Sequence, residues 1–492
     1  MSDIERPPSP LLNLKLANYS SYTSFIASPL DRIRSAPWQL LLSRFLAFLV
    51  PSFLQGRHAR EQICPAKLHP TAYLDGMRGL AALTVFFCHF FYQGLFIARS
   101  WGDGEDNWEI FKLPIIRLWY QGPAAVCVFF VISGYALSYR PTKLIRKAAF
   151  GDFATTMSSL AFRRGIRLYL PTAISTLMIV CMLRLGIYEI TRGFAEDRRY
   201  MKNIIEPHAP LLESSYAQFR DWSFHIWKFV HVWDWHKFGG STYYDVHLWT
   251  IPVEFRCSLY LFLVLLGTAR LRTLFRFISV AGIIYFAYRH SRWEFCLFLS
   301  GMVIAEMDHI RGAHSPPSPL PQTEKQDMNV RGWQKRAFWG LMSVVGLWFL
   351  SQPDAGGERA PGWKWLTSLI PTWWTEEQYR YYQSFGAVVF VLAVGHCPSW
   401  QRFFETPPVQ YFGKISYALY LMHSPAMHTV GYMIEDIVWN ITGTEGSWYH
   451  VGFFLSSIFV VPTVIWWSDV FWRAVDIPTV KFAKWVETKC IY

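Results

Sequence analysis

Long apolar runs separated by short polar stretches recur between residues 70 and 475. A helix of about 20 apolar residues crosses the hydrocarbon core of a bilayer, and ten runs have the required length or apolarity. The second run is short, and Arg289, Arg292 and Glu294 crowd the junction of the fifth and sixth. The pattern predicts an all-α, polytopic membrane helix bundle of about ten transmembrane helices. The predicted spans are 74–97, 123–139, 166–188, 247–267, 273–290, 293–308, 337–352, 382–397, 412–433 and 449–472.

The loops between these runs differ in charge. Lys and Arg concentrate in 140–167, in 309–336 and in the tail 476–492, whereas Asp and Glu predominate in 103–109 and 435–445. Positive residues mark the cytoplasmic side of membrane proteins. With ten spans, all the basic stretches fall on one side of the bilayer. We therefore predict that both termini are cytoplasmic.

Three regions of different character follow from this pattern. Arg44 and Pro51 interrupt the apolar segment 37–54, which favours a helix lying in the membrane interface over a span. The segment 189–246 is rich in Trp and is expected to rest on the bilayer as a lid, because amphipathic aromatic residues favour the interface. The predicted regions are an N-terminal cytoplasmic region 1–70 with the interfacial helix 37–54, a membrane domain 71–475 with the non-cytoplasmic aromatic-rich segment 189–246 and the cytoplasmic Pro-rich loop 309–336, and a cytoplasmic tail 476–492.

The composition supports a membrane protein. Hydrophobic residues make up 52% of the 492 residues and charged residues 17%, with a mean hydropathy of +0.16, whereas a soluble domain carries about 25% charged residues. The net charge of +12 comes from short basic clusters between apolar runs, so we predict no nucleic-acid partner. The eight cysteines show no CxxC or zinc-type spacing, which predicts neither a metal site nor a disulfide framework.

The first predicted span carries two ionisable residues, Arg78 and His89, which are eleven residues apart. On an α-helix this separation is about three turns, so both side chains share one face and lie about 16 Å apart along the axis. Ionisable groups inside a bilayer are costly and mark candidate functional sites. His is the usual general base at neutral pH, and Arg suits phosphate recognition. In the alternative interpretation, Arg78 snorkels to the interface and His89 bonds to a neighbouring helix.

Five motifs extend this pattern in chain order. They are LDGMRGLAALTVFFCHF (74–90), FFVISGY (129–135), FRRGIRLYLP (162–171), LWTIPVEFRCSLYLF (248–262) and GKISYALYLMHSP (413–425). Together they resemble the acyltransferase 3 family of integral membrane acyltransferases, and the resemblance extends from residue 70 to residue 475. The first 70 residues, the aromatic-rich segment and the Pro-rich loop depart from the family's pattern and leave the substrate open.

The resemblance implies transfer of an acyl group, often acetyl, from acyl-CoA to a hydroxyl of a sugar, lipid or secondary metabolite. It implies that His89 takes the proton of the acceptor hydroxyl as the oxygen attacks the thioester carbonyl. Arg78, Arg164 and Arg167 are then expected to hold the phosphates of the donor from the cytoplasmic side. We expect no bound cofactor, with acetyl-CoA as the co-substrate. Because no GxSxG elbow is present, direct transfer is favoured over an acyl-Ser intermediate.

Further candidate residues lie in the other motifs. Glu254 either orients His89 or forms an ion pair with a basic residue. His423 is either a second catalytic histidine or a residue that hydrogen-bonds neighbouring helices, and we favour the second. Ser133 and Tyr135 could donate hydrogen bonds to a developing oxyanion. Close helix packing at Ser133 is the alternative that we favour.

The expected function is therefore that of a membrane O-acyltransferase, which transfers a group other than an amino-acyl group to a small-molecule alcohol. The acceptor is expected to be a secondary metabolite such as a terpenoid or polyketide. The alternatives are O-acetylation of a glycan or lipid, a metabolite transporter, and a structural or receptor protein. The protein is expected to contact membrane lipid in the endomembrane system or the plasma membrane. The sequon at Asn440 is expected to be glycosylated if its loop faces away from the cytoplasm. The oligomeric state stays open.

Overall fold

The structure of the chain, a computed structural model, describes residues 38–55, 68–105, 107–233, 241–314, 322–374 and 377–491. Helices make up 75% of the structure, and the described residues contain no β-strand. The expected all-α class is therefore confirmed. The chain divides into two compact units, Met1–Gln55 and Gly56–Tyr492.

In the first unit, the described residues form one helix, α1 (Trp38–Leu49). Its side chains Leu42, Phe45 and Leu46 are each more than half exposed. This helix falls within the predicted interfacial segment 37–54, whose place in the membrane interface stays a prediction.

The second unit is a helical bundle whose helices are joined by both short turns and long segments. Its α-helices are α2 (Ala72–Gly94), α3 (Gly122–Arg146), α4 (Phe150–Arg184), α5 (Ile187–Glu196), α6 (Ser215–Val230), α7 (Thr250–Thr268), α8 (Thr273–Arg289), α9 (Trp293–Arg311), α10 (Gln322–Leu350), α11 (Lys364–Ser368), α12 (Arg380–Val394), α13 (Pro398–Phe404), α14 (Pro407–Ala426), α15 (Tyr432–Thr442), α16 (Gly446–Phe471) and α17 (Ile477–Cys490). Short 3-10 helices occur at Ile110–Lys112, Ile116–Trp119 and Val246–Trp249, and π-helical turns at Met427–Gly431 and Trp472–Asp476.

Each of the ten predicted spans coincides with a helix of this bundle. Among the described residues, five helices are long and apolar enough to cross a membrane: Ala72–Gly94, Gly122–Arg146, Phe150–Arg184, Val246–Thr268 and Gly446–Cys490. A shorter apolar helix covers Arg380–Val394. The protein is thus a membrane protein with several apolar helices, while the number of spans and the side of each terminus stay predictions.

Two helix crossings in the bundle depend on glycine. A side chain at Gly134 of α3 would collide with the backbone carbonyl of Phe298 in α9, and one at Gly79 of α2 would collide with the backbone of Gly413 in α14. Small residues allow such close backbone approach between membrane helices. The first crossing is next to Ser133 and supports helix packing at that position.

The aromatic-rich segment contains α6 and part of α5, and it returns to the end of α2. The Asn203 side chain donates hydrogen bonds to the carbonyls of Tyr92 (2.8 Å) and Leu95 (3.0 Å), and its own backbone N–H donates to Gln93. These bonds satisfy carbonyl groups that the last turn of α2 leaves without helical partners. Trp235 of this segment and residues 315–321 of the Pro-rich loop lie outside the described residues.

The bundle has two chemically distinct ends. Residues of the last turns of α2 and the first turns of α3, α7 and α12 surround one cavity, and we call this end the histidine end because His89 lies there. We call the opposite end, where α2 begins and Arg78 lies, the arginine end. The following sections describe the chemistry of each end.

Candidate active site

His89 is hydrogen-bonded on one side and open on the other. Its Nδ1 lies 3.2 Å from Oε1 of Glu206, and its side chain is 28% exposed. An ionised carboxylate can only accept, so Nδ1 carries the proton and Nε2 carries a lone pair. Because His89 also lines the cavity, a substrate can reach this imidazole. The arrangement is that of a general base with a fixed tautomer.

Glu206 is the shared partner of three imidazoles. In addition to His89, His247 approaches Oε1 through Nε2 at 3.0 Å, and His428 approaches Oε2 through Nε2 at 3.5 Å. Burial by itself would raise the pKa of Glu206, but these imidazoles hold it well below its usual range. Glu206 is therefore ionised, and its negative charge faces the His89 imidazole.

Local structure determines how these partners reach Glu206. The Asp245 carboxylate caps the 3-10 turn that precedes α7, because Oδ1 accepts from both the backbone N–H and the Nδ1–H of His247 at 3.0 Å each. In α14, Pro425 cannot continue the regular hydrogen-bonding pattern, and a π-helical turn at Met427–Gly431 follows it. Such π-turns often occur at functional sites, and this one contains His428.

His423 completes a group of three closely packed rings. It is fully buried, and its ring centroid lies 5.4 Å from that of His89 and 5.0 Å from that of His247. Its Nδ1 donates to the carbonyl of Tyr420 at 2.7 Å, so Nε2 carries a lone pair. Among the described residues, no group hydrogen-bonds this Nε2. The structure thus brings together His423 and His89, two of the three candidate catalytic residues, the third being Glu254.

The cavity at His89 is large enough for a substrate. Its volume is about 540 Å³, within the range of about 300–1,000 Å³ that is typical of small-molecule sites. Its walls combine apolar and aromatic side chains with carboxylates and one guanidinium. These residues include Val85, Tyr92, Val126, Ile204, Trp249, Glu206, Asp354, Glu377, Tyr379 and Arg380.

A separate cavity of about 30 Å³ is lined by Glu254. Four residues line both cavities: Val85, Val126, Thr250 and Tyr420. The Thr250 hydroxyl donates to Tyr420 at 2.6 Å, and the Tyr420 hydroxyl donates to the carbonyl of His247. These two hydroxyls therefore separate the His89 cavity from the next turn of α7, where Glu254 lies.

Glu254 pairs with an arginine rather than with His89. Its Oε1 accepts from Arg164 at 2.6 Å and from the Ser133 hydroxyl at 3.2 Å, and Arg164 also donates to Ser258 at 2.9 Å. Glu206 occupies the position beside His89 instead. Of the two alternatives for Glu254, the geometry therefore agrees with the ion pair.

The three expected donor-binding arginines lie near one another. Arg78 donates to the Ser416 hydroxyl at 3.1 Å and pairs with Asp75 at 3.3 Å. Arg167 lies within electrostatic range of Arg78, of Arg164 and of the carboxylate of Asp476. Among the described residues, nothing forms a hydrogen bond or close ion pair with Arg167, which is exposed. Its charge is therefore available to an anion.

The remaining candidate residues lie away from His89. The Tyr135 hydroxyl donates to Asp308 at 2.8 Å, and neither Ser133 nor Tyr135 lines the His89 cavity. An oxyanion role for Ser133 or Tyr135 would therefore require a rearrangement of the bundle.

The expected glycosylation site, Asn440, is exposed on α15, where its side-chain amide lies 3.3 Å from Asp436.

The imidazoles of His89, His247 and His423 could also act as metal ligands, since one nitrogen of each lies within 4.8 Å of the others. Zinc would require Zn–N distances of about 2.0–2.1 Å. However, both nitrogens of His247 face carboxylates at 3.0 Å. An ion would have to displace the proton between His247 and Glu206, so the metal site and the hydrogen-bonded network exclude each other.

The sequence comparisons agree with the expected family. The sequence profile of the acyltransferase domain family, acyltransferase 3, matches residues 71–473. The chain belongs to the acyltransferase 3 family. Its expected membership is thereby confirmed, and the protein is an O-acyltransferase.

Curated relatives of this acyltransferase come from fungi. It is 32% identical to O-acetyltransferase PaAT-1 of Phomopsis amygdali over 468 residues, which cover 89% of this chain and 88% of that protein. It is 25% identical to Acyltransferase R4 of a Phoma species, over 76% of this chain and 86% of that protein, and 26% identical to Acyltransferase clz18 of Cochliobolus lunatus, over 84% and 94%. No solved structure matches it.

Sequence analysis missed the partners of His89 in this acyltransferase. The residues around His89 are distant from it in the chain: Glu206, His247 and His428 follow it by 117, 158 and 339 positions. At such separations the period of a single helix cannot relate them to His89. The signal that was present is an acidic residue between apolar residues and Pro207, in a segment interpreted as an aromatic lid. That signal does not show which helix the segment contacts.

Proposed function

We propose that this acyltransferase moves an acyl group, specifically acetyl, from acyl-CoA to a hydroxyl of a small molecule and thereby tailors a secondary metabolite such as a terpenoid or polyketide. The observation that carries the proposal is the open Nε2 of His89 in a cavity of about 540 Å³, with Nδ1 bound to Glu206. The relative PaAT-1 is named an O-acetyltransferase, which supports acetyl as the transferred group.

In the proposed reaction, Nε2 of His89 accepts the proton of the acceptor hydroxyl while that oxygen attacks the thioester carbonyl. The C–O bond forms, the C–S bond breaks, and the imidazolium returns the proton to the leaving thiolate. The products are the ester and the free thiol of CoA. The negative charge of Glu206 stabilises the imidazolium, because Nδ1–H donates to it throughout.

The donor is proposed to enter from the arginine end. Arg78 and His89 are about 16 Å apart along α2, so the long thiol arm of CoA could bridge them while its phosphates stay near Arg78, Arg164 and Arg167. The small cavity beside Glu254 and Tyr420 lies between the two ends. The Thr250 and Tyr420 hydroxyls would have to move apart for the thioester to pass, which makes them a gate for the donor.

Replacing Arg167 by Gln is expected to raise the KM for acetyl-CoA about 10-fold or more, because a charge-assisted hydrogen bond contributes about 1.5–3 kcal/mol. The kcat should change little, since Arg167 is remote from the reacting atoms. Steady-state kinetics of the purified protein, with acetyl-CoA varied at saturating acceptor, measure both constants. Arg402→Gln, which removes an exposed arginine on α13, is the control. An unchanged KM in Arg167→Gln would place the CoA phosphates elsewhere.

We propose ten spans with both termini cytoplasmic, in the endomembrane system or the plasma membrane. The chain has a second sequon at Asn18. Under this topology, Asn440 lies on the non-cytoplasmic side and Asn18 on the cytoplasmic side. We expect an endoglycosidase-sensitive mass increase that Asn440→Gln removes and Asn18→Gln leaves unchanged. A glycan on Asn18 would invert the topology.

The proposed function is tested with purified full-length protein in lipid nanodiscs, radiolabelled acetyl-CoA and an organic extract of alcohols from the source cells. The expected product is an extractable labelled ester whose mass exceeds that of its parent alcohol by one acetyl group. Label in a glycan or phospholipid would instead identify one of the alternative acceptors. Uptake of a metabolite into proteoliposomes of the same protein, without a new ester, would identify a transporter and overturn the proposal.

A further inference from the structure

The wall of the His89 cavity holds a second polar group that the proposed chemistry does not use. Asp354 follows α10 and lines the same cavity as His89. Its Oδ1 accepts hydrogen bonds from the side-chain amides of Gln121 at 2.7 Å and Gln383 at 3.3 Å. Among the described residues, no donor reaches Oδ2. One carboxylate oxygen is therefore fixed and the other is free to bind a ligand.

The surroundings hold Asp354 in place. Arg117 donates to Gln121 at 2.7 Å and keeps its amide directed at Oδ1. The carbonyl of Gln352 accepts from both Gln121 (3.1 Å) and Gln383 (2.9 Å), so each amide bridges the backbone and the carboxylate. Asp354 is partly buried, and this burial raises the pKa of its carboxyl. A polar ligand could offset this cost of burial.

The other charged groups of the wall already have partners. Arg380 is 3% exposed, donates to Glu377 at 2.6 Å and to the carbonyl of Pro123 at 3.2 Å, and lies over the ring of Trp293 at 4.2 Å. The wall thus holds three carboxylates, Glu206, Asp354 and Glu377, against two cations that are already paired: the Arg380 guanidinium and the His247 ring, which donates to Glu206 and Asp245. Such a cavity repels an anionic acceptor and favours a neutral one that carries hydrogen-bond donors.

We propose that Asp354 is a specificity-determining residue whose Oδ2 accepts a hydrogen bond from a second hydroxyl of the acceptor, so that the acceptor is a ring-bearing diol or polyol without a carboxylate. This inference rests on the proposed function, because it places the reacting hydroxyl at Nε2 of His89. The aromatic side chains Tyr92, Trp249 and Tyr379 line the cavity between polar groups and provide apolar surface for a ring system. A simple mono-alcohol would leave Oδ2 without a partner, which is costly in a buried site.

The variant Asp354→Asn isolates this contact. Because Gln121 and Gln383 both donate to the Oδ1 position, the asparagine oxygen is expected to occupy that position and the NH₂ group to replace Oδ2. The change therefore replaces an acceptor by a donor without changing shape. The matched control is Glu358→Gln, which removes an exposed carboxylate on the same loop that does not line the cavity.

The probes are a decalin diol and the decalin mono-ol that lacks one of its two hydroxyls, assayed with radiolabelled acetyl-CoA in nanodiscs. We expect the wild-type protein to prefer the diol by about 10- to 100-fold in kcat/KM, the cost of losing a hydrogen bond to a charged group. In Asp354→Asn this preference should fall to a few-fold through a higher KM for the diol, because the NH₂ group can offer the hydroxyl oxygen only a neutral hydrogen bond. The KM for acetyl-CoA and the thermal stability should match those of Glu358→Gln.

Three results would overturn this inference. Equal use of both alcohols by the wild-type protein, or transfer to neither, would show that a second hydroxyl does not define the acceptor. An equal loss of activity toward both alcohols in Asp354→Asn, with lower thermal stability, would show that Asp354 has a structural role. In each case, labelling of an alcohol from the cell extract decides separately whether the proposed acyl transfer is correct.

Discussion

Replacing His89 by Ala is expected to lower kcat for acyl transfer by about 10²- to 10⁴-fold, the contribution of a positioned general base. The reason is that His89 lines the cavity and, among the described residues, nothing hydrogen-bonds its Nε2, whereas the nitrogens of His247 face two carboxylates. The donor affinity should stay the same because the arginine end is unaffected. Single-turnover acetyl transfer and binding of acetyl-CoA by calorimetry measure the two quantities separately.

Loss of folding is the competing explanation for an inactive His89 variant. His89→Asn keeps an amide N–H that can donate to Glu206 but removes the base, so it should be folded and as inactive as His89→Ala. His290→Ala, which removes an exposed histidine at the end of α8, should retain full activity. If His89→Asn keeps most of the wild-type kcat, the proposed role of His89 is wrong.

Replacing Glu206 by Gln is expected to lower kcat by about 10- to 100-fold with little change in either KM, because a hydrogen bond to a charged group contributes about 1.5–3 kcal/mol. The amide carries no charge to stabilise the His89 imidazolium and no longer selects the tautomer with Nδ1–H. Glu206 acts through His89 and is a positioning residue. Glu206→Asp, which keeps the charge on a shorter side chain, should recover part of the loss.

The pH dependence of Glu206→Gln distinguishes positioning from a structural role. Without the carboxylate of Glu206, the protonated form of His89 is less stable, so His89 loses its proton at lower pH. The acid limb of the kcat profile should therefore move to lower pH in Glu206→Gln. Because the pKa of Glu206 lies well below its usual range, the wild-type carboxylate remains ionised across that limb. A lower thermal stability with an unmoved acid limb would contradict the positioning role.

Local sequence patterns were sufficient to predict the helices. Hydrophobic runs of the length of a span are a property of neighbouring residues, and each of the ten predicted segments is helical. The shared face of Arg78 and His89 follows from the period of the α-helix alone. The five motifs also indicated the family correctly, and the matched region 71–473 is close to the predicted domain 71–475.

The partners of these residues could not be predicted, because they depend on contacts between distant parts of the chain. Glu254 and Glu206 are both acidic, but they have different partners. Glu254 forms an ion pair with Arg164. Glu206 hydrogen-bonds His89, in a segment that Asn203 anchors to the end of α2. Tyr135, expected near the reacting atoms, instead meets Asp308 of α9.

The helical segments, the family and the candidate base His89 could be predicted from the sequence, since these depend on local periodicity and on motifs within single helices. Contacts between distant segments settled which carboxylate is bound to His89 and which other carboxylate, Asp354, lines the same cavity. The physical reason is that a buried charge is stable only where packing gives it hydrogen-bond partners, and these partners come from loops whose positions the hydrophobic pattern does not specify.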